Sequence, residues 1–236
     1  MSTPRRAELE AGLTETRRRI ATACAAAGRD VEEVQLVVVT KTYPASDVAL
    51  LVDLGVTDVG ENRHPEAGRK LDEVRAAGGP VPRMHFVGGL QTNKAGAVAR
   101  YADVVHSVDR EKLALALSRG AVAAGRELGC LVQVDFDTTD PGRAGVPPDG
   151  VDALADTVAE ADGLRLDGVM TVAPLGADPA AVFAHLVAIS RRLQERHPGA
   201  TAVSAGMSGD LEAAVAAGAT HVRVGRSVLG ERSATG

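Results

Sequence analysis

Lys41 follows a run of apolar, mostly β-branched residues, Leu36-Val37-Val38-Val39-Thr40. Such a run predicts a strand buried on both faces, whose last side chain reaches the rim of a sheet, where α/β proteins usually bind ligands. The chain has only 4 lysines against 22 arginines. Arginine stays protonated, whereas a partly desolvated lysine can lose its proton and attack a carbonyl group. Lys41 therefore predicts a Schiff base with an aldehyde, and a solvated or ion-paired lysine is the alternative.

The other three lysines differ from Lys41 in their surroundings. Lys70 lies in a polar helical stretch, and Lys112 follows Glu111 at a predicted helix start. Both are interpreted as solvated surface charges. Lys94 fits neither description and is left open.

A second group of residues suited to ligand binding lies near the end of the chain. Ser208 and Gly209 precede a predicted helix, Leu211–Ala217, whose first N–H groups can bind phosphate oxygens together with the serine hydroxyl. An ordinary N-cap is the alternative. Gly225 lets the backbone approach a ligand closely, and Arg226 adds donors, although a simple turn would also explain the glycine. These residues predict a phosphate site.

Arg223 lies two residues before Gly225 and therefore on the same side of its strand. Its guanidinium would be a fixed cation aimed across the site, with a solvated or salt-bridged arginine as the alternative. An amine on the first strand, opposite a phosphate cradle after the seventh and eighth strands, suits a phosphorylated aldehyde. Pyridoxal 5′-phosphate meets both requirements, and so does the sugar phosphate of a Schiff-base aldolase.

The elements that must position these residues follow a regular alternation. After an amphipathic helix over residues 4–27, short β-rich runs alternate with Ala-rich helical stretches, which predicts βα units around a parallel sheet. Eight strands in a chain of this length favour a closed (β/α)8 barrel, and residues 1–236 are interpreted as one domain. An open doubly wound sheet is the alternative, but Lys41-Thr42-Tyr43-Pro44 stands where its glycine-rich turn would lie. The predicted strands cover residues 36–41, 58–62, 84–88, 104–108, 131–136, 166–172, 201–205 and 221–225.

Bulk composition excludes several classes of protein. The 236 residues are 45% hydrophobic and only 2% aromatic, and the net charge is −5, so neither a basic surface nor stacking residues for nucleic acid are expected. Cys24 and Cys130 match no metal or disulfide spacing, which favours a reducing cytoplasm. No apolar run predicts a signal peptide or a membrane span. The protein is predicted to be cytoplasmic and a monomer or a weak homodimer, with the first helix packed on the barrel.

Six motifs, taken together and in order, resemble the pyridoxal phosphate homeostasis protein family, also called the YggS/PROSC family. The resemblance runs from about Ile20 to Arg232. The motifs are Val39-Thr40-Lys41-Thr42, Gly60-Glu61-Asn62, His85-Phe86-Val87-Gly88-Gly89-Leu90-Gln91-Thr92-Asn93-Lys94, Gly168-Val169-Met170, Ser204-Ala205-Gly206-Met207-Ser208-Gly209-Asp210 and Val222-Arg223-Val224-Gly225.

The resemblance implies a barrel like the N-terminal domain of alanine racemase, with pyridoxal phosphate bound to Lys41. It also implies that Arg223 faces the pyridine nitrogen, where a cation disfavours protonation and weakens the ring as an electron sink. The cofactor would then be held and not used, and the resemblance implies neither catalytic residues nor a metal. The implied cofactor-binding residues are Lys41, Asn62, His85, Ser208, Arg223, Gly225 and Arg226.

The sequence also departs from the family pattern. Arg226 stands where the family commonly has Thr or Ser, Arg63-His64-Pro65-Glu66 follows the Gly-Glu-Asn motif irregularly, and Arg143 stands where a lysine is frequent. His64 and His106 belong to no metal-binding spacing and are interpreted as surface or structural residues.

The expected function is therefore non-enzymatic binding of pyridoxal phosphate (PLP) in vitamin B6 and amino-acid homeostasis. Apoenzymes that depend on PLP are the candidate recipients. The alternative is a PLP-dependent racemase-like enzyme. Alanine racemases use a tyrosine as second base, and this chain offers only Tyr43 and Tyr101. Racemisation is therefore not expected.

Overall fold

A computed structural model describes residues 3–137 and 142–230. Among these residues, parallel strands pair in chain order and close into a barrel through β8 and β1, which confirms the predicted (β/α)8 architecture. The predicted domain also includes residues 1–2, 138–141 and 231–236, which lie outside the described residues. The strands are Gln35–Val39 (β1), Asp58–Glu61 (β2), Arg83–Phe86 (β3), Val104–Val108 (β4), Leu128–Gln133 (β5), Leu164–Met170 (β6), Ala202–Ser204 (β7) and His221–Val224 (β8).

Helices follow the strands and form the outer layer of the barrel. No helix in the described part of the chain is long and apolar enough to cross a bilayer. The helices are Pro4–Ala26 (α1), Ala45–Asp53 (α2), Glu66–Ala76 (α3), Ala95–Val98 (α4), Glu111–Ala123 (α5), Val151–Glu160 (α6), Pro179–Arg196 (α7), Leu211–Ala217 (α8) and Arg226–Leu229 (α9), with 3-10 turns at Val31–Glu33 and Thr92–Lys94.

Two helix starts show how far capping residues determine local structure. The Asp178-Pro179 pair predicts a helix start, and the Asp178 carboxylate indeed accepts a hydrogen bond from the backbone N–H of Ala180 at 3.0 Å where α7 begins. The Ser46-Asp47 pair likewise predicts a helix cap, but this prediction is wrong, because α2 begins at Ala45. Asp47 is buried in its first turn, where its carboxylate binds Arg5 at 2.6 Å. The Asp47 carboxylate is therefore engaged in a long-range ion pair and does not cap the helix.

The N-terminal helix α1 packs on the barrel, as predicted. Leu9, Leu13 and Ile20 are buried on its inner face. A side chain at Gly12 would lie 2.5 Å from the carbonyl oxygen of Val228, so glycine is needed where α1 meets α9. The apolar face of α1 is thus used within the chain.

The barrel interior has an apolar and a polar part. Val104, Leu131 and Met170 form a separate apolar cluster on one side, from β4, β5 and β6. On the other side lie buried polar residues from β2, β3, β4, β7 and β8. Polar interiors are unusual in barrels of this type, which mostly contain branched apolar residues. The polar part lies below the predicted site.

Candidate functional site

Barrel closure places three of the predicted site residues on neighbouring strands. β1 pairs with β8 on one side and with β2 on the other. Lys41, Gly225 and Asn62 therefore follow three adjacent strands at the same end of the barrel. The expectation that the amine lies opposite the phosphate cradle is wrong, because in a closed barrel the eighth strand is the neighbour of the first.

Lys41 lies in the turn after β1, and its side chain is exposed. The strand ends at Val39, two residues earlier than predicted. The backbone N–H of Thr40 still donates to the carbonyl of Gly60 at 2.9 Å, but the chain then turns, and Thr42 adopts a left-handed φ of 70°. A positive φ at a β-branched residue needs support from its surroundings.

That support comes from charged residues on both sides of Lys41. The buried Lys70 ammonium donates to the carbonyl oxygen of Thr40 at 2.8 Å. The Glu66 carboxylate accepts a hydrogen bond from the backbone N–H of Thr42 at 2.8 Å. The interpretation of Lys70 as a surface charge was therefore wrong, because α3 turns this side chain towards the end of β1. Sequence reasoning missed it, and its only signal was the spacing of Glu66 and Lys70 by four residues.

Glu61 completes this network from β2. Its carboxylate accepts hydrogen bonds from Lys70 at 2.5 Å and from the Thr40 hydroxyl at 2.7 Å. Burial raises the pKa of Glu61, because the loss of hydration outweighs the attraction of Lys70. Its second oxygen is buried with no hydrogen-bond partner among the described residues. Burial of the Glu61–Lys70 ion pair costs hydration free energy, and the pair lies directly beneath the Lys41 turn.

Asn62 follows Glu61 and faces a different environment. Its Oδ1 atom is buried and has no partner in the described part of the chain. A side chain at Gly88 would lie 2.5 Å from Cβ of Asn62, so the loop after β3 packs tightly against this residue. An amide oxygen held in this way is available to a donor on a ligand.

The predicted phosphate residues lie at the starts of α8 and α9. Gly225 precedes α9, so helix geometry leaves the N–H groups of Arg226 and Ser227 without partners inside that helix. The Arg226 side chain is exposed. Ser208 lies in the turn before α8, and its carbonyl oxygen accepts a hydrogen bond from Arg19 of α1 at 3.0 Å. The first helix thus supports the loop after β7.

Arg223 is buried at the carboxyl end of the barrel. Its Nη1 donates to the Ser204 hydroxyl at 2.6 Å, and its Nη2 donates to the carbonyl oxygen of Thr171 at 2.8 Å. Burial lowers the pKa of Arg223 to about 10, although Asp210 acts in the opposite direction. The guanidinium is therefore a cation at neutral pH and reaches from β8 across β7 to the end of β6.

His85 lies inside the barrel and not on its rim. Its Nε2 is 2.7 Å from Oδ1 of Asp58, and its Nδ1 is 2.8 Å from Nε2 of His106. His106, interpreted from the sequence as surface or structural, is fully buried. Its signal was the alternation within β4, where a side chain two residues after the inward-facing Val104 must also point inwards.

Both tyrosines are engaged in the folded chain. The Tyr43 hydroxyl donates to the carbonyl oxygen of Gly230 at 2.7 Å. The Tyr101 hydroxyl lies 3.3 Å from Nδ1 of His64, and burial raises its pKa. Neither hydroxyl is placed as a free base beside Lys41.

Comparisons with known proteins agree on fold and family. The family model for the alanine racemase N-terminal domain matches residues 13–233. The chain is 43% identical to the pyridoxal phosphate homeostasis protein of Mycobacterium tuberculosis, over 97% of this chain and 94% of that protein. It is 34% identical to the protein of the same name from Escherichia coli, over 93% and 95% of the two chains.

Solved structures give the same result. PipY of Synechococcus elongatus, in a structure with PLP bound, is 33% identical and superimposes with a TM-score of 0.77, covering 89% of this chain and all 100% of that one. An alanine racemase of Clostridium difficile is only 16% identical, with a TM-score of 0.69 over 96% of this chain and 57% of that one. The racemase thus shares the fold of the barrel.

Proposed function

The chain belongs to the pyridoxal phosphate homeostasis protein family, and we propose that it binds pyridoxal 5′-phosphate as a reversible Schiff base on Lys41. Its role is to hold the cofactor in vitamin B6 and amino-acid homeostasis. The observation that carries the proposal is the position of Lys41 between the ends of β8 and β2, next to Gly225 and Asn62. The PLP-bound relative with the same fold supports it.

The residues present fit this cofactor. Pyridoxal phosphate supplies an aldehyde, which condenses with an amine and releases water, and the reaction is reversible. The N–H groups of Arg226 and Ser227, with the Ser208 hydroxyl, suit its phosphate. Asn62 offers the buried, unpartnered Oδ1 to a donor on the ligand. Arg226 thus contributes mainly through its backbone N–H group. Arginine can therefore stand at this position, where the family commonly has Thr or Ser.

Arg223 determines what the bound ring can do. Its guanidinium has donors only, and two of its nitrogens are fixed by Ser204 and Thr171. Beside a ring nitrogen this cation disfavours protonation, which weakens the ring as an electron sink. We therefore propose that the protein is not an enzyme and keeps the cofactor chemically idle until release. His85 acts below the pocket, through Arg223, and does not line it.

The alternative is a PLP-dependent racemase-like enzyme, which the shared barrel favours. Tyr43 and Tyr101 argue against it, because both hydroxyls already have partners. An assay of amino-acid racemisation at high protein concentration separates the two functions. Turnover on the order of 1 to 1000 per second would support an enzyme.

The proposed partners and location follow from the same role. PLP-dependent apoenzymes are the recipients, reached when water or a second amine releases the cofactor from Lys41. Two buried, unpaired cysteines, Cys24 and Cys130, suit the reducing cytoplasm. We propose a monomer or weak homodimer that binds neither nucleic acid nor membranes.

The experiment that tests the proposal is absorption spectroscopy of the purified protein mixed with pyridoxal phosphate. We expect a near-visible band from the lysine-bound cofactor, which Lys41→Ala abolishes. Lys94→Ala is the matched control, because Lys94 is also exposed and lies after β3 at the same end of the barrel. A full band in Lys41→Ala would overturn the assignment. Borohydride trapping of a sugar phosphate on Lys41, with no cofactor band, would instead indicate an aldolase.

A further inference from the structure

A continuous chain of hydrogen bonds crosses the barrel interior beneath the site. It starts at Asp58, the first residue of β2, and passes through His85 with distances of 2.7 and 2.8 Å to Asp58 and His106. Nδ1 of His106 is then 2.9 Å from the Ser204 hydroxyl, which accepts the hydrogen bond from Arg223 at 2.6 Å. Five strands thus contribute one side chain each.

All five members are buried, with the most exposed at 5%. Burying polar and charged groups is unfavourable unless each donor and acceptor has a partner. Apolar residues fill the neighbouring part of the same interior, so packing alone did not require a polar chain here. The hydrogen-bond chain instead suits a role that depends on the bonds between its members.

The chemistry of the end groups determines the direction of every bond. Hydrogen bonds from His85 and Thr57 outweigh the effect of burial and hold the pKa of Asp58 below its usual value, so its carboxylate only accepts. His85 must then carry a hydrogen on Nε2, which it donates to this carboxylate, and its Nδ1 accepts from Nε2–H of His106. His106 in turn accepts at its own Nδ1.

The remaining bonds follow from this assignment. Since Nδ1 of His106 accepts, the Ser204 hydroxyl donates to it and accepts from Arg223. Burial holds the pKa of His106 well below its usual value, which keeps that ring neutral. The other ionisable groups near these rings are His221, Arg83 and Arg223. Every bond therefore points from the arginine towards the aspartate.

We propose that Asp58, His85, His106 and Ser204 are positioning residues, which fix the Arg223 guanidinium so that its remaining N–H groups face the ring of a bound pyridine ligand. This inference rests on the proposed function, because it assumes that the ring binds beside Arg223. The hydrogen-bond chain acts through Arg223, and none of its side chains bonds Ser208, Gly225 or Arg226 in the described part of the protein. It therefore affects recognition of the ring and not of the phosphate.

The test separates ring recognition from phosphate recognition. Pyridoxine 5′-phosphate has the ring and the phosphate but no aldehyde, so its affinity does not depend on Lys41 chemistry. We expect Ser204→Ala to weaken its binding about tenfold, as loss of a hydrogen bond to a charged group would. Inorganic phosphate should bind the variant as it binds the wild type. Ser204→Thr keeps the hydroxyl and should restore most of the affinity for pyridoxine phosphate.

His221→Gln is the matched control. His221 lies among the same histidine rings, but its Nδ1 bonds Thr220 and no member of the hydrogen-bond chain. It should bind pyridoxine phosphate normally. Histidine ring NMR of the ligand-free protein at mildly alkaline pH adds a readout independent of any cofactor. We expect Nε2–H tautomers at His85 and His106, and the same tautomers in Ser204→Ala, because Asp58 still accepts from His85 in that variant.

The possible outcomes distinguish the two proposals. Equal affinity of Ser204→Ala and wild type for pyridoxine phosphate would overturn the positioning role, as would equal losses in the Ala and Thr variants, which indicate packing alone. An Nδ1–H tautomer of His106 in the wild type would overturn the assigned direction. Normal tautomers in a wild type that binds neither pyridoxine phosphate nor pyridoxal phosphate would instead contradict the proposed function.

Discussion

The Lys70 ammonium donates a hydrogen bond to the carbonyl oxygen of Thr40, the residue directly before Lys41, at 2.8 Å. The same ammonium lies 2.5 Å from the Glu61 carboxylate. Helix α3 is therefore tied to the turn that carries the proposed cofactor lysine. A buried lysine thus holds an exposed one in place, through the backbone between them.

Replacing Lys70 with methionine should destabilise the protein and weaken pyridoxal phosphate binding. The change leaves the Glu61 charge buried without its partner, which should lower the free energy of unfolding by about 3 kcal/mol. Urea unfolding measures this change. Lys112→Met is the control, because Lys112 is exposed on α5 and should be nearly neutral. A combined Glu61→Gln, Lys70→Met variant should recover part of the loss, and no recovery would contradict the coupling of the two residues.

Gly88→Ala should disturb Asn62, whereas Gly89→Ala should not. A Cβ atom at Gly88 would lie 2.5 Å from Cβ of Asn62, while one at Gly89 meets no atom within 4 Å. We expect Gly88→Ala to lose about 1–3 kcal/mol of stability, as overpacking does, and to bind the cofactor more weakly. Thermal unfolding and cofactor titration check both effects. Identical behaviour of the two variants would show that the Asn62 contact is unimportant.

Asn62→Ala should separate binding from stability. The Oδ1 atom of Asn62 is buried and unpartnered among the described residues, so its removal relieves a desolvation cost in the ligand-free protein. We expect unchanged or slightly higher stability, with about tenfold weaker binding of pyridoxal phosphate. Calorimetric unfolding and titration of the cofactor's absorption band measure the two quantities. A variant that loses stability but binds normally would assign Asn62 a structural role only.

Stability should fall as the pH drops from about 6.5 towards 4. Burial lowers the pKa of His221 from its usual 6.5 to about 4. As the pH falls below 6.5, the unfolded chain therefore binds a proton before the folded chain does. The free energy of unfolding, which is highest above pH 6.5, decreases as a result. His106 shifts in the same direction. His221→Gln should reduce the loss by up to about 3 kcal/mol. Urea unfolding at several pH values measures it, and His185→Gln, on the surface of α7, should leave the slope unchanged.

Local sequence patterns predicted most of the elements correctly. The alternation of strands and helices, the cap at Asp178 and the helix Leu211–Ala217 all depend on neighbouring residues, whose spacing is visible in the chain. The positions of Lys41, Asn62 and Gly225 at strand ends follow from the same patterns. Their roles in cofactor binding remain predictions.

The barrel elements, the family motifs and a lysine suited to aldehyde chemistry could be predicted from the sequence, because they depend on residue type and on short-range periodicity. The folded structure was needed to show that Lys70 is buried under the Lys41 turn and that His106 links His85 to Ser204. Such contacts join residues far apart in the chain. Their geometry depends on barrel closure and strand register, and a single sequence pattern does not encode that relationship locally.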